Sequence, residues 1–502
     1  MTTENDPRPI ALSSAALADI AARGAVEVPT YDRSRVRPGI VHFGVGGFHR
    51  AHQAVVIDDL LARGETDWGI LGVGTMPGDA RMRDALLAQD GLYTLVRKHP
   101  DGSLDARVVG GIVDYLFAPD DPEKVIETLA APEVRIVSLT ITEGGYNFDQ
   151  VTGEFDLTDR AVAADLVPGA VPATVFGLVV EALARRRERG IAPFTVMSCD
   201  NIQGNGDKAR TVFSAFAAAK NAELGEWVAQ HVAFPNSMVD RITPVTTDDD
   251  RRLVAERFGI EDAWPVVAEP FFQWALEDDF PAGRPPYDQA GVQLVDDVEP
   301  YELMKLRLLN ASHQGIAYFG YLSGYRYAHE ATGDPAIATF VRAYMDLEAT
   351  PTLQAVPGID LDDYKSTLIE RFANPAIRDT LARLCAESSD RIPKWLLPVV
   401  RERLAEGGDI RRSAAIVASW ARYAEAVDEQ GEPIEVVDNA ADELVAIART
   451  QRESPTVFIE NERFFGELAQ DERFRSAYLA ALESLFEKGA LETVRDLARL
   501  DG

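Results

Sequence analysis

Four polar residues stand at helical spacing in a segment that is otherwise rich in leucine. The segment reads Glu302-Leu-Met-Lys305-Leu-Arg-Leu-Leu-Asn310-Ala-Ser-His313 and contains neither glycine nor proline. Its apolar residues recur at helical spacing, which predicts an α-helix. At about 100° per residue, the four polar residues share an arc of roughly 140°. A lysine amine can accept a proton and an asparagine amide can donate a hydrogen bond to an oxyanion, so the arc predicts proton transfer at an oxygen atom.

The surroundings of this arc favour a cleft over bulk solvent. A row of charged residues on a helix is usually a solvated face, and that is the alternative interpretation. The next turns, from Gly315 to Tyr325, are apolar and aromatic on nearly every side. Polar groups within such a stretch more often line a cleft, so we expect the arc to face a binding site.

The composition narrows the classes of protein to which this chain can belong. It has 502 residues, enough for two or three domains, and a net charge of −31. Such acidity argues against nucleic acid and anionic membranes as partners. Two cysteines exclude a disulfide framework and favour a reducing cytoplasm. No signal sequence and no apolar run of transmembrane length is apparent, so we expect a soluble cytoplasmic protein.

A strand, a glycine-rich turn, a helix and a second strand follow one another near the N-terminus. The first strand is predicted at Gly39–Phe43, the helix at Phe48–Arg63 and the second strand at Trp68–Gly74. The turn, Gly44-Val45-Gly46-Gly47, would let a dinucleotide diphosphate approach the backbone at a helix N-terminus. The third glycine of the strict fingerprint falls on His49, so a purely structural turn is the alternative.

Further strands and helices alternate up to about residue 295. The near-continuous apolar run Val134–Ile141 is typical of a parallel strand covered on both faces, and Phe194–Ser198 is predicted as a further strand. We therefore predict a Rossmann-type, doubly wound α/β domain over residues 1–295. Helical patterns dominate afterwards, beginning with Tyr301–Leu322, and predict a mostly α-helical domain over residues 296–502. Lys305 begins the second domain, where we expect it to face the crevice beyond the strand ends.

Asp79 follows the second strand and stands where a carboxylate could accept hydrogen bonds from the adenosine ribose. It would repel a 2′-phosphate, which favours NAD over NADP. The alternative is an ordinary loop carboxylate or a helix N-cap.

The remaining polar residues could catalyse hydride transfer from an alcohol. It needs a base, which Lys305 can be when burial favours its neutral form, and hydrogen-bond donors, which Asn201 and Asn310 can supply. Catalytic zinc is the rival mechanism, but it normally needs three protein ligands. Among the residues that could bind zinc, Cys199 is the only thiol in the first domain. His49 and His52 lie within the predicted diphosphate-binding helix, where packing or surface roles suit them better. The residues therefore favour a metal-independent enzyme.

Several long motifs, in order along nearly the whole chain, resemble the polyol-specific long-chain dehydrogenases/reductases, and most closely the branch that oxidises mannitol. They are Gly44-Val-Gly-Gly-Phe-His-Arg-Ala-His52, Ser138-Leu-Thr-Ile-Thr-Glu-Gly-Gly-Tyr146, Thr195-Val-Met-Ser-Cys-Asp-Asn201, Phe234-Pro-Asn-Ser-Met-Val-Asp-Arg-Ile-Thr-Pro244, Trp264-Pro-Val-Val-Ala-Glu-Pro270 and the Lys305–Asn310–His313 constellation.

This resemblance implies zinc-independent, NAD-linked interconversion of a polyol and its ketose, with D-mannitol and D-fructose as the expected pair. It implies that Lys305 is the general base, that Asn201 and Asn310 hold the reacting oxygen, and that His313 orients the substrate. It further implies that Glu302 assists proton exchange with solvent.

The resemblance also implies positions that bind substrate and cofactor. Asp240, Arg383 and Lys394 match contacts to polyol hydroxyls, although surface charge, or an Asp240–Arg241 salt bridge, is the alternative interpretation. The cofactor positions are Gly44, Val45, Gly46, Gly47, Phe48 and Asp79. The family can carry a Glu-Asp pair where this chain has Gly78-Asp79, so the preference for NAD is expected to be less strict.

Other functions remain open at this point. Within the family, the alternatives are D-arabinitol 4-dehydrogenase and the fructuronate or tagaturonate reductases. A non-catalytic dinucleotide sensor is the alternative from another class, although it would need neither Lys305 nor the two asparagines. The sequence leaves the oligomeric state open, and a monomer is compatible with it.

Overall fold

The computed structural model describes residues 8–148 and 154–500. Within them the chain forms two compact units. The first comprises the residues up to His99 together with Ser103–Glu299, and the second comprises Pro100–Gly102 and the residues from Pro300 onward. No helix in these ranges has the length and apolar character needed to cross a membrane.

A five-stranded parallel sheet is the centre of the first unit. Its strands lie in the spatial order Ile112–Phe117, Gly69–Gly74, Pro38–Phe43, Ile136–Leu139 and Thr195–Ser198. In chain order this is 3-2-1-4-5, the order of a doubly wound dinucleotide-binding fold, and the strand order reverses between Pro38–Phe43 and Ile136–Leu139.

Both faces of this sheet are covered because successive strand residues point to opposite sides. Val41 and Phe43 pack into one apolar core, and Ile40 packs into the other. The helices of the unit are Leu17–Arg23, Gly47–Ala51, Gln53–Ala62, Ala80–Ala88, Pro122–Ala130, Arg160–Asp165, Val175–Glu188, Asn205–Lys220, Ala222–His231 and Asp248–Phe258.

Smaller sheets complete the first unit. Their strands are Ile10–Ala11 with Ile260–Glu261, Val266–Ala268 with Tyr93–Lys98 and Leu104–Val109, and Gln293–Val295 with Gln273–Glu277 and Ser237–Asp240.

The second unit is mostly helical. Its helix Ala311–Leu322 is buried at every position except Tyr321, and Arg411–Tyr423 is buried at every position except Arg411. The further helices here are Ala328–Gly333, Pro335–Tyr344, Leu361–Phe372, Leu381–Cys385, Ser388–Trp395, Leu397–Ala405, Ala441–Ala448, Glu462–Phe465, Glu472–Lys488 and Ala490–Ala498. The predicted fold class, a Rossmann-type α/β domain followed by a mostly helical one, is confirmed.

Two predicted helices differ from the observed ones. The helix expected at Phe48–Arg63 is broken at His52, whose imidazole Nδ1 hydrogen-bonds the Phe48 carbonyl oxygen that a regular helix would pair with the backbone N–H of His52. The helix expected at Tyr301–Leu322 is not a regular α-helix. It runs as α-helix over Glu299–Met304, as π-helix over Lys305–Asn310, and as α-helix again over Ala311–Leu322.

Candidate active site

The π-helical turn changes the predicted arrangement of the polar arc. The backbone N–H of Ala311 bonds the carbonyl oxygen of Leu306, five residues earlier. A π-helical turn takes more residues than the 3.6 of an α-helix, so it reduces the angle of about 140° by which an α-helix separates residues five apart. Lys305 and Asn310 are five residues apart, so the turn places them on one face. Single π turns inside α-helices occur frequently at functional sites.

The four residues of the arc are buried. Glu302, Lys305, Asn310 and His313 are each exposed by no more than 8 %. The side-chain Nδ2 of Asn310 has no hydrogen-bond partner among the described residues. A buried donor without a partner costs free energy, so such a group is expected where a ligand oxygen supplies the missing acceptor. The alternative of a solvated face does not describe this segment.

The imidazole of His313 rests against an aromatic side chain. Its ring centroid lies 4.6 Å from that of Phe372, at the end of the helix Leu361–Phe372, and the planes are inclined at 50°. This contact limits the orientations open to His313.

Arg383 and Lys394 lie on two further helices of the second unit, Leu381–Cys385 and Ser388–Trp395, each beside an acidic partner. The guanidinium of Arg383 donates two hydrogen bonds to Asp379, from Nε at 2.7 Å and from an Nη at 2.5 Å. The Lys394 amine lies 2.7 Å from Asp390 on the same helix, and its side chain is 45 % exposed. Polyol contacts by these two residues stay a prediction.

In the first unit, the glycine turn follows the strand Pro38–Phe43, beside the point where the strand order reverses. Gly44 adopts φ +89°, and a Cβ there would lie 2.0 Å from the Thr140 carbonyl oxygen. A Cβ at Gly46 would meet nothing closer than 3.8 Å, and one at Gly47 would come to 3.6 Å from Thr243. The backbone at Gly46 and Gly47 is therefore open to close approach, as a diphosphate requires. Val45 is buried beneath the turn and Phe48 is partly buried.

Asp79 lies at the start of the helix Ala80–Ala88, beyond the carboxyl end of the strand Gly69–Gly74. Its Oδ2 accepts hydrogen bonds from the backbone N–H groups of Thr75 and Met76, both at 2.9 Å. The carboxylate therefore organises this turn, which matches the structural alternative, while its second oxygen remains compatible with a ribose contact.

Asn201 follows the strand Thr195–Ser198 and is exposed in this structure. Its neighbour Asp200 is a feature that the sequence motifs did not single out. The Asp200 carboxylate accepts hydrogen bonds from the backbone N–H of Thr142 at 2.7 Å and from the Tyr146 hydroxyl at 2.9 Å. Burial raises the pKa of Asp200 to about 6. Thr142 has φ +65°, unusual for a β-branched residue, so Asp200 holds a strained loop at the sheet edge.

Asp240 ends the strand Ser237–Asp240 and is 3 % exposed. The guanidinium of Arg241 donates to the carbonyl oxygens of Ala51 and Glu269, at 2.7 and 3.1 Å. Burial lowers the pKa of Arg241 to about 10. Backbone carbonyl oxygens therefore hold the Arg241 side chain in place, which is a structural role.

The histidines near the glycine turn are buried together. His42, His49 and His52 are all inaccessible to solvent. Among the described residues, no group of three or more His, Cys, Asp or Glu side chains has an arrangement that could hold a metal ion.

Family models match both units. A mannitol dehydrogenase Rossmann domain matches residues 38–289, and a mannitol dehydrogenase C-terminal domain matches residues 297–486. Two fungal proteins named mannitol 2-dehydrogenase are similar over most of their length. The one from Phaeosphaeria nodorum is 48 % identical and covers 94 % of this chain and 84 % of its own. The one from Aspergillus fumigatus is 47 % identical and covers 97 % and 99 %.

Two solved structures are similar along nearly the whole chain. Mannitol 2-dehydrogenase from Pseudomonas fluorescens, in ternary complex with NAD and D-mannitol, is 45 % identical with a TM-score of 0.88, and covers 98 % of this chain and 100 % of its own. A D-sorbitol dehydrogenase in substrate-free form is 37 % identical with a TM-score of 0.90, and covers 97 % and 100 %. The resemblance seen in the sequence motifs is confirmed, and the chain belongs to the mannitol dehydrogenase family.

Proposed function

We propose that this protein is an NAD-dependent, zinc-independent polyol dehydrogenase that interconverts D-mannitol and D-fructose. The observation that supports the chemistry best is the buried π turn, which carries Lys305 and an Asn310 amide whose Nδ2 has no partner among the described residues. The Pseudomonas fluorescens relative, a complex with NAD and D-mannitol, supports the choice of cofactor and substrate.

The chain's own residues would share the work of alcohol oxidation. When bound, NAD supplies the hydride acceptor. The neutral amine of Lys305 takes the hydroxyl proton, and the Asn310 amide donates a hydrogen bond to the oxygen as its negative charge develops. Asn201 is the second donor to that oxygen, His313 orients the substrate, and Glu302 exchanges the proton with solvent. Asp240, Arg383 and Lys394 would contact the other hydroxyl groups.

We assign cofactor binding to residues 1–295 and the catalytic lysine to residues 296–502. The open backbone at Gly46 and Gly47, together with Gly44, Val45 and Phe48, would hold the diphosphate, and Asp79 would receive the ribose. The two cysteines, Cys199 and Cys385, are buried and free, which supports a reducing, cytoplasmic location.

The first test is an assay of NADH oxidation with D-fructose and of NAD reduction with D-mannitol, each repeated with NADP(H). D-sorbitol, D-arabinitol, fructuronate and tagaturonate belong in the same panel, D-sorbitol because of its dehydrogenase relative. We expect the highest kcat/KM with D-mannitol and D-fructose. A higher value with another member would reassign the substrate, and no turnover with any of them would favour a dinucleotide sensor.

Chelation tests the metal-independent part of the proposal. Activity is expected to survive exhaustive treatment with EDTA or phenanthroline. Loss of activity that Zn²⁺ restores would contradict a purely lysine-based mechanism.

A further inference from the structure

The π turn lies in a stretch whose residues would form a regular α-helix if left to themselves. Five of the six residues in Lys305–Asn310 are lysine, leucine or arginine, which rank among the strong α-helix formers. A π turn is rare, and here local propensity opposes it. Contacts from outside the segment must therefore hold it.

Arg307, inside the turn, makes such contacts with its side chain. Its guanidinium forms a bidentate pair with Glu402, with both N–O distances at 2.7 Å, and donates to the Thr352 carbonyl oxygen at 2.7 Å. The Arg307 side chain is only 8 % exposed, whereas that of Glu402 is 45 % exposed. A bidentate guanidinium–carboxylate pair fixes orientation as well as distance.

The backbone of the same residue is held separately. The Tyr344 hydroxyl donates a hydrogen bond to the Arg307 carbonyl oxygen at 3.1 Å, at a buried position. Tyr344 ends the helix Pro335–Tyr344, and a second π-helical segment, Met345–Ala349, follows it directly. Arg307 is thus anchored through its side chain and its main chain, by partners 37 to 95 residues away.

We propose that Arg307, with Glu402 and Tyr344, is a positioning residue that locks the π turn and so aligns Lys305 with Asn310. Lys305 and Arg307 are two apart and point to different sides of the helix, so Arg307 is expected to act on Lys305 through the turn. The inference rests on the proposed function of Lys305 as the base. Loss of the Arg307 contacts would misplace the Lys305 amine and the Asn310 amide relative to each other while the rest of the second unit stays folded.

Arg307→Lys and Glu402→Gln test this with conservative changes that keep a polar side chain at each position. Lysine keeps the charge but cannot bind Glu402 through two nitrogens, and glutamine keeps the shape but loses the charge. The matched control is Glu406→Gln, which removes another carboxylate from the same region, one that pairs with Arg403 at 2.7 Å.

Both variants are expected to lower kcat by about 10–100-fold, the effect of a misplacement on the order of 1 Å. The Kd for NADH should stay unchanged, KM for the polyol should change less than kcat, and the control should match wild type. Hydrogen exchange of the Ala311 amide should accelerate in the two variants and not in the control.

Wild-type kcat in both variants would overturn the inference, and so would a loss of kcat accompanied by equal losses of NADH binding and thermal stability. Failure of the proposed function is separable. If Lys305→Ala retains activity, the assignment of the base is wrong, whereas the exchange of the Ala311 amide still reports whether Arg307 holds the turn.

Discussion

The imidazole rings of His42 and His49 stack face to face beneath the glycine turn, with their centroids 3.4 Å apart and their planes inclined at 13°. The Nδ1 of His42 lies 2.8 Å from the Ser138 hydroxyl oxygen, and its Nε2 lies 3.0 Å from that of Thr140. Burial lowers the pKa of both histidines well below 6.5, and each would repel the charge of the other. The folded protein therefore holds this pair neutral.

This pair predicts a specific dependence of stability on pH. Below about pH 6.5 the unfolded chain binds a proton at His49 that the folded protein does not bind, so folding stability falls as pH falls, with a slope that approaches about 1.4 kcal/mol per pH unit well below pH 6.5. As the pH falls from 6.5 to 5, the unfolding free energy of His49→Gln should therefore rise relative to that of wild type, more steeply toward pH 5. Asp200, whose pKa is raised, makes folding stability rise as pH falls. This contribution is common to wild type and His49→Gln, so it cancels when the two are compared.

The measurement is urea unfolding of wild type, His49→Gln and His231→Gln at several pH values. His231 is exposed, and His231→Gln is the control for the exchange of a histidine for glutamine outside the buried pair. Parallel curves for wild type and His49→Gln would show that the pair is not held neutral.

Lys305→Ala is expected to abolish most turnover while leaving NADH binding intact. Removal of a general base typically costs about 10²–10⁴-fold in rate. Steady-state kinetics with D-mannitol and fluorescence titration with NADH measure the two effects. Lys488→Ala, at a surface ion pair with Asp496, is the control and should match wild type. Substantial mannitol oxidation by the Lys305 variant at neutral pH would rule out its role as the base.

Asp79 has two separable roles, and two substitutions distinguish them. Asp79→Asn keeps an oxygen for the backbone N–H groups of Thr75 and Met76 but removes the charge that would repel a 2′-phosphate. It should shift the NAD/NADP ratio of kcat/KM toward NADP by about 10–100-fold, since a hydrogen bond to a charged group is worth about 1.5–3 kcal/mol. Asp79→Ala should shift the ratio similarly and also lower thermal stability. An unchanged ratio in both would leave Asp79 with its structural role alone.

The glycine turn offers a matched pair of substitutions at Gly44 and Gly46. Gly44→Ala should destabilise the protein even without cofactor, by roughly 1–3 kcal/mol or more, because φ is positive and Thr140 lies in the way. Gly46→Ala has room in the structure and should change stability by no more than about 0.5 kcal/mol.

The Gly46→Ala substitution should instead affect NADH binding. We expect this binding to weaken about tenfold or more if the diphosphate bonds the backbone at Gly46. Denaturant unfolding and NADH titration of both variants provide the comparison. Unaltered NADH binding by Gly46→Ala would place the diphosphate elsewhere.

The features that were predictable from the sequence depend on local patterns. Alternation of strands and helices, continuous apolar runs and the glycine at position 44 are enough to predict a doubly wound sheet, because strand period and turn chemistry involve residues close in the chain. The polar residues around Lys305 were found for the same reason. Their roles in catalysis remain predictions.

What the tertiary structure decided was the local geometry of these residues. The segment Lys305–Asn310 has the sequence of an α-helix, and the π turn that it forms makes contacts through Arg307 with Tyr344, Thr352 and Glu402, all distant in the chain. The stacked His42–His49 pair likewise depends on how side chains pack in the folded unit. Sequence period alone determined that a lysine, an asparagine and a histidine share a helix. The tertiary structure decided that the segment from Lys305 to Asn310 forms a π turn, because local propensity opposes such a turn and favours a regular α-helix.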